Sequence, residues 1–220
     1  MEMQSIDALL PEIPPPYTFK RFEVENGEYI TFEQYVDMDF EAGSLEWKDG
    51  AVIGFMPNNR QHQAILKFLI TLLQLFLEKN ELGEIMPAGY AMKLESQKSG
   101  REPDLVFVKE ENLSRMSSKY LDGPADLVIE IVSPESGRRD REIKFKEYAL
   151  AGIGEYWLID PERQTIEFYQ LGEPGAYNAL PQENGIFRSK VLTGFFLRGE
   201  WLWPEKLSTR TARTELDLLG

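Results

Sequence analysis

The sequence predicts an α/β protein with a mixed central β-sheet flanked by helices. Three stretches carry that reading. Residues 126–133 and 156–159 are apolar runs of strand length separated by a charged helical stretch, the strand–helix–strand order of an α/β layer. Residues 60–79 place Ile65, Leu66, Leu69, Ile70, Leu72, Leu73, Phe76 and Leu77 at helical spacing, a stripe wide enough to press on a sheet. Asp49-Gly50, between two short β-rich runs, is a hairpin signal.

Taken in order, residues 1–30 form an extended N-terminal arm, because Pro14-Pro15-Pro16 fits neither a central strand nor a helix interior. Thr31-Phe32-Glu33-Gln34 is a capping box that opens a short helix. The hairpin follows as strands 44–48 and 51–56, then the long helix, stopped near Gly83. Residues 85–94 alternate loosely and read as one strand, and 105–108 are a short apolar strand after Pro103-Asp104. Residues 110–123 read as a polar, mobile loop. The strands at 156–159 and 165–171 pair across Asp160-Pro161-Glu162-Arg163, and 185–190 form a further strand. Residues 191–203 close the core, so that 31–203 make one domain and 204–220 a polar tail or helix.

Composition narrows the function. A net charge of −13 repels polyphosphate at long range, so nucleic acid would have to be met by a local basic patch. The longest apolar segment, 65–77, is interrupted by Lys67, Thr71 and Gln74 and is too short to span a bilayer. The N-terminus has no basic residues ahead of an apolar core, so no secretion signal is expected. There is no cysteine, which removes disulfides and thiolate metal sites and suits a cytoplasmic protein.

The informative residue is Glu130. It lies amid Leu127, Val128, Ile129, Ile131 and Val132, in a strand apolar enough to be covered on both faces. A charge there is costly unless it is paired or holds a metal, and a structural pair with Arg139 or Arg141 is the plain alternative. Asp104 opens the neighbouring apolar strand. If the two strands are adjacent, Asp104, Glu130 and the backbone carbonyl of Ile131 converge on one divalent cation, and hard oxygen ligands suit Mg²⁺ or Mn²⁺. The helix after Ser133-Pro134 is rich in Arg and Lys; Arg141 or Lys144 shares a face with Tyr148, and a lysine there can reach the strand ends to stabilise a phosphate or activate water. Tyr148, Tyr156 and Trp157 read as core.

These segments resemble the Uma-two family of restriction-endonuclease-like proteins in the PD-(D/E)XK nuclease superfamily. The resemblance rests on Leu45-Glu46-Trp47-Lys48-Asp49-Gly50, His62, Pro103-Asp104-Leu105-Val106, Ile129-Glu130-Ile131-Val132-Ser133-Pro134, Arg139-Asp140-Arg141 with Lys144 and Tyr148, and Glu155-Tyr156-Trp157-Leu158-Ile159-Asp160-Pro161. It departs from the superfamily pattern at Val132, which stands where the usual strand lysine belongs. The resemblance implies that the lysine has moved to the following helix as Lys144, with Lys146 the other candidate there. It also implies Glu46 as an additional acid near the metal, His62 as an accessory residue, DNA as substrate with RNA the alternative, and a homodimer. The implied activity is a Mg-dependent endonuclease; the alternatives are a catalytically silent binding or assembly module of the same fold, or a hydrolase of another phosphoester.

Overall fold

The structure, a computed structural model, describes residues 21–22, 29–39, 43–55, 59–173, 175–203 and 207–216. In chain order its elements are β1 (Arg21–Phe22), α1 (Phe32–Val36), β2 (Ser44–Lys48), β3 (Ala51–Phe55), α2 (Arg60–Asn80), β4 (Gly83–Pro87), β5 (Ala91–Leu94), β6 (Ser99–Arg101), β7 (Leu105–Lys109), β8 (Tyr120–Asp122) and β9 (Leu127–Ile131). A π-helical turn, Arg139–Lys144, leads into α3 (Phe145–Ala151), followed by β10 (Glu155–Asp160), β11 (Thr165–Gly172), β12 (Ala176–Ala179), β13 (Ile186–Arg188), β14 (Phe196–Arg198) and α4 (Thr209–Leu216).

The α/β class holds, and the strands divide between two six-stranded sheets and a small two-stranded one among the described residues. The mixed sheet runs β12-β11-β10-β9-β7-β4, with β9 and β10 parallel and the other pairs antiparallel. Helix α2 covers one face, where Ile65, Leu69 and Leu73 meet Leu105, Phe107, Ile129, Ile131 and Trp157. Tyr148 and Ala149 of α3 cover the other, against Val106, Val128, Tyr156 and Leu158. Each such large apolar side chain contributes about 1.5–3 kcal/mol on burial. Ala212 of α4 joins the α2 side.

The second sheet runs β1-β3-β2-β6-β5-β8. Its hairpin turn is formed by Asp49 and Gly50, at φ 45° and 89°, the paired positive values of a type I′ turn. Thr31 caps α1 as expected: its hydroxyl accepts from the Gln34 N–H at 3.2 Å while Gln34 Oε1 accepts from the Thr31 N–H at 2.8 Å. Phe32 and Tyr35 of α1 then rest on Gly100, where a Cβ would sit 2.7 Å from the Phe32 ring.

Two expectations are corrected. Residues 85–94 are not one strand: Pro87 ends β4 in the mixed sheet, Gly89 turns the chain at φ 93°, and β5 enters the other sheet. The stretch 110–123 is ordered, as a 3₁₀ helix (Glu110–Arg115) and β8, with Asp126 accepting from the Lys109 N–H and from Asn112. The arm at 1–30 lies outside the described residues except for 21–22 and 29–30, as does Met56 of the expected second hairpin strand.

Candidate active site

The site lies where β2, β9 and the turn before α3 come together. Glu130 is set by the pleat of β9: Leu127, Ile129 and Ile131 point to the α2 side, so Val128 and Glu130 point to the α3 side. There its Oε1 accepts from Lys144 Nζ and from the Tyr148 hydroxyl, both at 2.8 Å. Lys144 and Tyr148 reach it together because they are four residues apart on one helical face. Glu46 arrives from β2, and its Oε1 is 2.8 Å from the same Lys144 Nζ. Its Oε2 accepts from Arg101 at 2.6 Å, and Arg101 also bonds Glu147 at 2.8 and 2.5 Å. Lys48 closes this buried chain at the surface, 2.6 Å from Glu147.

Asp104 occupies the end of the sheet. Its Oδ2 accepts from the Ile131 N–H at 2.7 Å, and its Oδ1 is 2.9 Å from His62 Nε2. His62 is delivered by the first turn of α2, where Asn59 caps the helix by accepting from the His62 N–H at 2.9 Å. The Val132 N–H bonds the Ile159 carbonyl on the β10 side. Since backbone groups alternate between neighbours, Ile131 therefore turns its N–H and carbonyl toward Asp104.

Electrostatics separate the members. Burial works against the charge of Lys144, but Glu130 and Glu46 outweigh it and hold the ammonium above its ordinary pKa. Burial likewise opposes the charge of Glu46, yet Lys144 and Arg101 keep it well below the usual carboxylate range. Glu130 goes the other way: burial pushes it up to about 8 against the pull of Lys144, with Asp140 and Asp104 adding to the rise. The firm ion pair is thus Lys144 with Glu46, and Glu130 is the carboxylate left short of positive charge.

That shortfall is what added positive charge would relieve. Asp104, Glu130 and the Ile131 carbonyl are hard oxygen donors on adjoining strand ends, and a carboxylate raised by burial and neighbouring acids gains from added positive charge. Among the described residues no group of three or more His, Cys, Asp or Glu side chains is placed to hold a metal ion, so the share of the protein would be limited to two carboxylates and a carbonyl. Mg²⁺ characteristically binds through one or two carboxylates and keeps several waters.

Of the residues named from sequence, Glu46, Glu130 and Lys144 are in direct contact, and Asp104 meets His62 and the Ile131 backbone. Both Glu46 oxygens are engaged by cationic side chains, so its geometry suits holding Lys144 rather than a metal. Neither Arg139 nor Arg141 is the hydrogen-bonded partner of Glu130. Arg141 bonds Asp160 at 2.9 Å, and Arg139 lies over the Phe55 ring. Tyr148, read as core, is buried but also hydrogen-bonds the site; its position four residues after Lys144 was the available signal. Arg101 and Glu147 carry no mark in their local sequence, while Asp140 belongs to the Arg139-Asp140-Arg141 segment of the resemblance without having been given a role.

This arrangement, a mixed sheet with acids at the adjoining ends of two neighbouring strands beside a helix-borne lysine, is a restriction-endonuclease-like fold. The chain belongs to the Uma2 family, described as "Putative restriction endonuclease", whose model matches residues 32–198. A solved structure, that of a putative nuclease of the DUF820 group from Anabaena variabilis, shares the fold at a TM-score of 0.68 and 16% identity, covering 81% of this chain and 99% of that one. No curated protein matches. Among the described residues no helix is long and apolar enough to cross a membrane.

Proposed function

We propose that the protein is a Mg²⁺- or Mn²⁺-dependent endonuclease that hydrolyses phosphodiester bonds of DNA at this site. Asp104, Glu130 and the Ile131 carbonyl hold the cation. When bound, the cation supplies charge neutralisation at the scissile phosphate and acidifies a bound water. Lys144 stays protonated, so it orients the attacking water and stabilises developing negative charge rather than accepting a proton. Glu46 fixes the Lys144 ammonium, and His62 fixes Asp104. The observation that supports this best is the Lys144 ammonium, 1% exposed and 2.8 Å from carboxylates carried by two different sheets. A buried lysine so placed compensates the site for a strand lysine that Val132 does not provide.

The net charge of −13 favours a second reading, a catalytically silent module of the same fold that binds or assembles. Plasmid cleavage with Mg²⁺ and Mn²⁺ separates the two. Native protein should nick supercoiled plasmid, and Asp104→Ala should lose that activity. Equal cleavage by both proteins, or none by either at high concentration, would favour the silent module.

A further inference from the structure

Asp140 has entered the site so far only as a charge near Glu130, yet it is 1% exposed and its Oδ1 has no hydrogen-bond partner among the described residues. Buried carboxylate oxygens are nearly always satisfied, so an orphan needs a reason. Two cationic groups stop just short of it: Lys144 Nζ and Arg139 Nε each lie 3.8 Å from Asp140 Oδ1, and Arg139 Nε itself lacks an acceptor. The turn that carries them is π-helical, a rare geometry often found at functional sites. The Tyr156 hydroxyl anchors this turn by donating to the Asp140 carbonyl at 3.2 Å. Lys144 follows Asp140 by four residues, so a side-chain rotation brings its ammonium onto that oxygen without moving the backbone.

We propose that Asp140 is the second seat of the Lys144 ammonium: when Glu130 binds a divalent cation, Lys144 keeps its contact with Glu46 and shifts from Glu130 onto Asp140. This rests on the metal-dependent reading above. A divalent cation on Glu130 brings like charge beside the Lys144 ammonium on Oε1, and like charges repel strongly in a dry site. Glu46 is already committed to Arg101 on its other oxygen. Asp140 supplies the remaining counter-charge from within the same turn. It does not touch the cation or the substrate and is a positioning residue.

The test is a double-mutant cycle in Mn²⁺ affinity, read by calorimetry on the full chain. Native protein is compared with Asp140→Asn, Lys144→Met and the double variant. Asp140→Asn should weaken Mn²⁺ binding about tenfold, since the displaced ammonium loses its seat, and should change it by less than about twofold once Lys144 is Met. A merely structural role would not depend on Lys144 in this way. Unchanged affinity in Asp140→Asn, or the same loss in both backgrounds, overturns the proposal. Native protein that takes up no Mn²⁺ overturns the metal-dependent reading itself, an outcome visible before any variant is compared. Should Asp140→Asn not fold, the Lys144 Nζ resonance of native protein gives the answer by NMR. It should move on saturation with Mg²⁺, and a fixed resonance that persists through saturation overturns the shift.

Discussion

Lys144 keeps its proton in surroundings that ordinarily strip one from a lysine. Two carboxylates, from Glu46 and Glu130, make the difference. A permanently charged ammonium cannot serve as general base, so its removal should cost transition-state stabilisation. Lys144→Ala is expected to lower plasmid cleavage about a hundredfold or more; a variant that cleaves at the native rate would show that the amine takes no part. Glu130 behaves oppositely. Its carboxyl is raised from 4.5 to about 8 in the folded protein, so the folded state holds the proton more tightly than the unfolded chain. The stability this group adds is complete below 4.5 and is lost as pH rises through about 8. Glu102, pushed up to about 7 by burial, adds a decline of the same sign. Metal-free native protein should therefore lose unfolding free energy across this window, and Glu130→Gln should lose less. Parallel curves for the two proteins would show that Glu130 does not titrate there.

At the level of elements, what could be read from sequence depended on how local the signal was. The strand around Glu130 stood out because a single charge interrupts an apolar run, and the type I′ hairpin and the α1 capping box each write their geometry into two to four adjacent residues. Glu46 stood out only through the family resemblance, since it looks like an ordinary surface charge in its own segment, and the same resemblance was needed to choose Lys144 over Arg141 on the helix face shared with Tyr148. Arg101 and Glu147 left no trace at all: their meaning comes from β6, β2 and α3 converging, a contact between residues 55 and 46 positions apart in the chain. The division into two sheets was hidden for a related reason. Pro87-Ala88-Gly89 carries a turn signal, but which sheet each flanking strand joins is decided by partners elsewhere. The Arg101 fork carries its own prediction. Arg101→Met leaves Glu46 and Glu147 buried without their shared cation, and should destabilise the protein by about 3–5 kcal/mol. Urea unfolding measures this, and a change under about 1 kcal/mol would mean the network relaxes around the loss.

At the scale of the whole molecule, the site is a cluster of charges sealed where two sheets and a helix meet, inside a protein whose overall field is negative. Under the proposed function DNA would approach against that field, so affinity should be low and fall steeply with salt through whatever phosphate contacts form. We expect a homodimer, because cutting both strands calls for two sites; light scattering across a concentration series measures the mass, and a monomer throughout would leave only single-strand nicking. The core of the whole scheme is that Asp104 and Glu130 hold one cation beside Lys144. Calorimetric titration of Mn²⁺ into native protein and Glu130→Gln tests it most directly. One binding event per chain, abolished by the substitution while the unfolding midpoint holds, is the expected result; equal affinity in the two proteins would contradict it.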